Sequence, residues 1–199
     1  KQTMMKIRIK FRKYGTMKFI GHLDVMRYFQ KAIRRSEVNI RYSEGFSPHQ
    51  IMSFAAPLGV GITSKGEYVD IEVLDTENSK KMIDRLNAVM SEGFEILEYK
   101  LLPDDAANAM SIVAAADYSL VFRTGYEPEK ESPQEWFEKL VQFFDTDHVM
   151  IMKKTKKGER EMDLKPFVYE LNVRKNGEVP ALFMKVSAGS AANIKPELV

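Results

Sequence analysis

Cysteine is absent from this chain. Its absence removes disulfides, a thiol nucleophile and thiolate ligands for zinc or an iron–sulfur cluster, and it fits a reducing, cytoplasmic compartment. Histidine is scarce: His22, His49 and His148 are the only three. None stands in an HxxxH or HxH spacing, so no metal site is expected. No apolar run approaches the roughly 20 residues that cross a bilayer, and the opening KQTMMKIRIK lacks the apolar centre of a signal peptide. No membrane partner is expected. The nucleophile elbow GxSxG and the phosphate loops GxxxxGK[ST] and GxGxxG are missing too. The run GVGITSKG (59–66) reads instead as a connection between strands. No cofactor and no catalytic residue are expected on these grounds.

What the chain does have is an uneven distribution of charge. Residues 1–50 carry 12 Lys and Arg against 3 Asp and Glu, residues 51–147 carry 8 against 19, and residues 148–199 carry 10 against 6. The net charge of +2 therefore conceals a basic opening, an acidic middle and a mildly basic end. A basic segment in an otherwise acidic protein suggests a surface for a polyanion, such as RNA. A solvated helix face is the plainer alternative. At 199 residues, 44% hydrophobic and 29% charged, the chain is an ordinary globular one with room for one large or two small domains.

Periodicity places the elements. KIRIKFRK (6–13) alternates Ile7, Ile9 and Phe11 with Lys6, Arg8, Lys10 and Arg12, predicting a strand with one buried and one basic face. Residues 22–35 read as a helix with Leu23, Met26, Phe29 or Gln30, and Ile33 on one side. Arg27, Lys31, Arg34 and Arg35 share another, Gly21 is its N-cap, and Asp24 faces the positive end of its dipole. Short strands follow at 38–43 and 51–56, with the loop SEGFSPHQ (43–50) between them. EYVDIEVL (67–74) alternates Tyr68, Asp70 and Glu72 with Val69, Ile71 and Val73. A helix at 79–90 and a strand at 94–102 complete a β-α-β-β-β-α-β order.

Beyond a connector at 103–116, strands are expected at 117–123, 148–155, 158–173 (broken at Pro166) and 181–187. A helix is expected at 133–144, a hairpin turn at Asn176-Gly177, and the start of a further helix over 190–199. The expected fold class is α+β, with two tandem ferredoxin-like (split βαβ) halves, 1–102 and 117–199, and mainly antiparallel sheets. The alternative is a single fused α+β sheet.

The residues suited to RNA or another ligand are Arg8 and Arg12 on the strand, His22 at the helix start, and Arg27, Lys31, Arg34 and Arg35 along the helix. Tyr42, Ser43, Phe46 and His49 join them from the loop. Cations meet phosphates, and aromatic rings beside them let unpaired bases stack. Strand, helix and loop are expected to converge on one concavity. Tyr42 and Phe46 could equally be packing residues. The basic run KKTKKGERE (153–161) reads as a hairpin tip that could also reach an RNA backbone.

The stretch from Gly21 to Val73 resembles the radical-SAM-linked proteins, small bacterial proteins found fused behind a radical SAM domain or encoded beside one. The resemblance rests on Phe19, His22, Leu23, Asp24, Arg27, Arg34 and Arg35, then Tyr42, Ser43, Gly45, Phe46 and Pro48. It continues through Pro57, Leu58, Gly59, Glu67, Tyr68 and Asp70. It extends more weakly through Lys157, Gly158, Asp163, Leu164, Lys165 and Pro166 to Lys195 and Pro196. Gly21 stands where the pattern has Ser, and Gln50 where it has Pro.

The resemblance implies a partner rather than a reaction. A radical SAM enzyme holds its cluster with three cysteines, which this chain lacks. The expected role is a non-catalytic accessory or substrate-presenting module for a radical SAM protein in trans, binding RNA such as tRNA or rRNA. Two alternatives are a small-molecule half-enzyme around His22, Asp24 and His49, and an adaptor that binds only protein.

Overall fold

The computed structural model describes residues 4–155, 158–189 and 192–199. The chain divides into two compact units, 1–112 and 113–199. Both are α+β with antiparallel sheets.

In the first unit, β1 (Met5–Lys13), β2 (Met52–Phe54), β3 (Ser64–Val73) and β4 (Phe94–Leu102) form a four-stranded sheet in the order β2-β3-β1-β4. Helices α1 (His22–Arg35) and α2 (Ser79–Asn87) connect its strands. The alternation in β1 sends Ile7, Ile9 and Phe11 into the core. There they meet Val25, Phe29 and Ile33 of α1 and Met82 and Leu86 of α2. Lys6, Arg8, Lys10 and Arg12 consequently face the other way. Phe29 is the hub of an aromatic cluster, its ring centroid 4.6 Å from Phe11, 5.5 Å from Phe54 and 5.7 Å from Phe94.

The extra strand expected at 38–43 is reduced to two isolated bridges, Ile40 with Val73 and Tyr42 with Gln50. Glu37, at φ 53°, turns the chain out of α1 and leaves room for only this brief pairing at the end of β3. The first unit is therefore β-α-β-β-α-β. Residues 104–112, expected within the connector, fold onto this unit and end in the short helix α3 (Ala109–Ile112). Hydrogen bonds with Lys6, Arg8, Ser53 and Asp70 of the sheet fasten them. Asp70 accepts one from the Ala109 amide at 2.7 Å, and the Ala107 carbonyl accepts one from Arg8 at 3.0 Å.

In the second unit, β5 (Ala115–Leu120), β8 (Val168–Asn176) and β9 (Val179–Ser187) form a sheet in the order β5-β9-β8. The strands β6 (Met150–Thr155) and β7 (Gly158–Asp163) pair as a separate hairpin. Helix α4 (Pro133–Phe143) begins with Pro133 and a capping box between Ser132 and Glu135. Phe137 of α4 packs with Leu182, Met184 and Val186 of β9.

The element order of the first unit is not repeated in the second. Among the described residues of the second unit α4 is the only α-helix, because the stretch after Pro166 extends as β8 and closes onto β9 through the turn at Gly177 (φ 64°). The helix expected over 190–199 is, in its described part, a single 3-10 turn at Pro196–Leu198, with Ile194 buried. The tip of the basic hairpin, residues 156 and 157, lies outside the described residues. No helix among the described residues is long and apolar enough to cross a membrane.

Candidate nucleic-acid interface and an adjoining polar cavity

Helix α1 divides its surface by periodicity. Val25, Phe29 and Ile33 are buried, while Arg27, Lys31, Arg34 and Arg35 are exposed. Arg27 sits 3.3 Å from Asp24, a weak exposed pair. Arg35 donates to the Val89 carbonyl at 3.1 Å. Lys31 and Arg34 have no ion-pair or hydrogen-bond partner among the described residues. Asp24 serves Arg27 rather than capping the helix, whose N-cap, Gly21, offers no side chain.

The loop after α1 is tied to it. Gln50 is buried, and its side-chain amide donates to the Gln30 carbonyl of α1 at 3.2 Å. Its own carbonyl oxygen has no partner. The Tyr42–Gln50 bridge closes the base of the loop. Inside it, the Ser43 amide donates to the His49 carbonyl at 2.8 Å, and the His49 amide donates to the Ser43 hydroxyl at 3.1 Å. The same hydroxyl lies 2.8 Å from His49 Nδ1. With its base closed in this way, the loop presents Phe46 with a relative exposure of 111% and Tyr42 with 45%. A phenylalanine fully in water satisfies no packing requirement of its own fold. Phe46 is therefore not packed in the core of the first unit.

The loop is tied to α1 at Gln50, but the basic residues of the strand lie elsewhere. Arg8 and Arg12 lie on the sheet face opposite α1, and both are paired. Arg8 makes two bonds to the Asp70 carboxylate, at 2.8 and 2.9 Å. Arg12 pairs with Glu95 and stacks on Tyr14 at 4.7 Å. The reason is geometric: Ile7, Ile9 and Phe11 must face the helices, so alternate residues cannot.

His22 turns inward, into a cavity that neither Asp24 nor His49 lines. It lines a small cavity with Lys13, Glu67, Phe11, Val25 and Phe54. Lys13 is 1% exposed, and its ammonium donates to the Ile20 carbonyl at 2.9 Å. Burial pushes the Lys13 pKa down, with the nearby Glu67 charge opposing. Burial likewise pushes Glu67 up, against the pull of the Ser64 hydroxyl and Lys13. His22 is pushed down by burial and then by the Lys13 charge. The cavity is thus a place where ionisation is disfavoured, and at about 10 Å³ it has room for no more than one water.

The sequence contained the signal for this cluster. Lys13 is in phase with Ile7, Ile9 and Phe11, and Glu67 is in phase with Val69, Ile71 and Val73. Two charged residues on apolar faces are the anomaly that points to the site.

The raised pKa of Glu67 gives a testable pH dependence. A carboxyl whose folded pKa lies above its ordinary 4.5 stabilises the fold at acid pH, and that contribution is lost as pH rises through the folded value. Chemical denaturation of Glu67→Gln from acid to neutral pH is expected to lack this downward component. A variant whose stability follows the wild-type pH profile would show that Glu67 titrates as it does in the unfolded chain.

The molecule is thus an α+β protein whose first unit presents a cationic helix and an aromatic loop. The chain belongs to the family described as "Uncharacterized protein conserved in bacteria (DUF2344)", which matches residues 6–196. No curated protein matches it.

Proposed function

We propose that the chain is a non-catalytic accessory module that binds RNA through α1 and the 42–50 loop and presents it to a separate radical SAM enzyme. The observation that carries the RNA reading is Phe46, wholly exposed on a loop tied to the helix that bears the unpartnered Lys31 and Arg34. Cations on a helix supply sequence-independent phosphate attraction, and a free ring supplies stacking. The radical SAM partner follows from the resemblance of residues 19–73 to proteins linked to such enzymes, together with the absence of cluster-binding cysteines in this chain. The β-α-β-β-α-β order and the β2-β3-β1-β4 sheet support a ferredoxin-like reading of the first unit, a scaffold that many functions share.

The test is anisotropy with labelled single-stranded RNA across a salt series. Wild-type protein is expected to bind at about 50 mM salt and release RNA as salt rises. Phe46→Ala is expected to weaken binding by about 1–3 kcal/mol with little change in salt slope, because stacking releases no counterions. Absence of binding at the lowest salt would favour the protein-binding adaptor instead.

A further inference from the structure

The sheet face opposite α1 has a groove of its own. It is about 230 Å³ in volume and is lined by Arg8, Lys10, Tyr68, Glu98, Lys100 and Leu102. That is below the roughly 300 Å³ at which pockets for drug-sized ligands begin, and it suits a ligand of one nucleotide. The strand registers arrange the lining in two adjacent rows. Tyr68, Lys10 and Glu98 stand side by side across β3, β1 and β4, and Asp70, Arg8 and Lys100 form the next row.

In the first row the Lys10 ammonium lies over the Tyr68 ring. Tyr68 is 37% exposed, and the Lys10 ammonium is 5.9 Å from its ring centroid and 3.1 Å from Glu98. In the second row Arg8 is committed: its Nε and Nη2 bond the Asp70 carboxylate, and Nη2 also donates to the Ala107 carbonyl. Lys100, directly opposite Arg8, has no acidic partner among the described residues, so it carries the row's unbalanced charge.

We infer that this groove is a nucleotide site, with a base against the Tyr68 ring and a phosphate held by Lys100. An antiparallel four-stranded sheet with an exposed aromatic on a central strand is a surface on which unpaired bases stack. The inference deepens the RNA-binding reading, but its residues are distinct from those of α1 and the loop. The shared chemistry is a base with a phosphate, whether it comes as a free mononucleotide or as a unit of single-stranded RNA.

Binding of AMP and of a labelled ten-nucleotide RNA would be measured by calorimetry and anisotropy for wild type, Tyr68→Ala, Tyr68→Phe and Lys100→Ala, each checked for native circular dichroism. Tyr68→Ala is expected to weaken binding roughly 5- to 150-fold, Lys100→Ala to weaken it and lower its salt dependence, and Tyr68→Phe to keep it. A loss seen with AMP and RNA alike marks a site for any nucleotide, and a loss seen with RNA alone marks a polynucleotide site. Unchanged binding of both probes in Tyr68→Ala and Lys100→Ala overturns the inference. So does a Tyr68→Phe variant as weak as Tyr68→Ala. An α1 variant stripped of Arg27, Lys31 and Arg34 separates the two readings. If it binds like wild type while Tyr68→Ala does not, the groove stands and the α1 interface falls; the reverse pattern leaves the α1 interface and removes the groove.

Discussion

Phe29→Ala is expected to cost the first unit about 3–5 kcal/mol, the range for removing a buried ring without collapse of its surroundings. Phe29 is 1% exposed, and Phe11, Phe54 and Phe94 crowd around it. Those neighbours come from β1, β2 and β4, so no single element can move in to fill the hole. Aromatic pairing adds about 0.5–1.5 kcal/mol beyond burial. Domains are held by only about 5–15 kcal/mol in total, so the variant would be left marginal. Urea denaturation followed by far-ultraviolet circular dichroism measures the loss. The single tryptophan, Trp136, lies in the second unit and reports that unit by its fluorescence. A loss under about 1 kcal/mol would mean that the cluster repacks, contrary to the close-packed core described above.

The second large effect concerns RNA. Replacing Arg27, Lys31 and Arg34 together by alanine is expected to remove about three phosphate contacts. Each contact contributes about −0.7 to the log–log salt slope for a single strand, so the slope should flatten by about 2. Binding should weaken for all sequences alike, since phosphate contacts carry no sequence information. Stability should change little, because all three side chains are exposed and only Arg27 has a partner, itself exposed. Arg35 is left in place because its guanidinium already donates to Val89. A triple variant that keeps both wild-type affinity and slope would remove α1 from the interface.

Periodicity made much of the first unit legible. The β1 alternation and the helical spacing of α1 placed both elements within a residue of their observed bounds, because each buries one face against the same core. Pairing at a distance was not legible. Arg8 looked like a free cation until β3 delivered Asp70 from 62 residues away, and only the strand register fixes that meeting. The start of β3 was hidden by Gly66 in a stretch that reads as a turn. Gln50 departs from the resembled pattern, yet here it is the residue that fastens the loop to α1. In the second unit the elements were mostly visible but their partners were not. Nothing local states that β6 pairs with β7 in a hairpin of its own while β9 takes both β5 and β8 as neighbours.

Helix α1 supplies the core with Phe29, the cavity with His22 and the outer surface with Lys31. Its heritable variation is therefore sorted by angle around the helix axis. Substitutions at positions 25, 29 and 33 would be lost through misfolding and degradation, whatever they do to binding. Substitutions at 27, 31 and 34 would leave the protein abundant and, on the proposed RNA-binding reading, weaken binding alone. A random screen for lost binding that does not also measure protein level would merge these two groups, and the position of each hit on the 3.6-residue turn would separate them again.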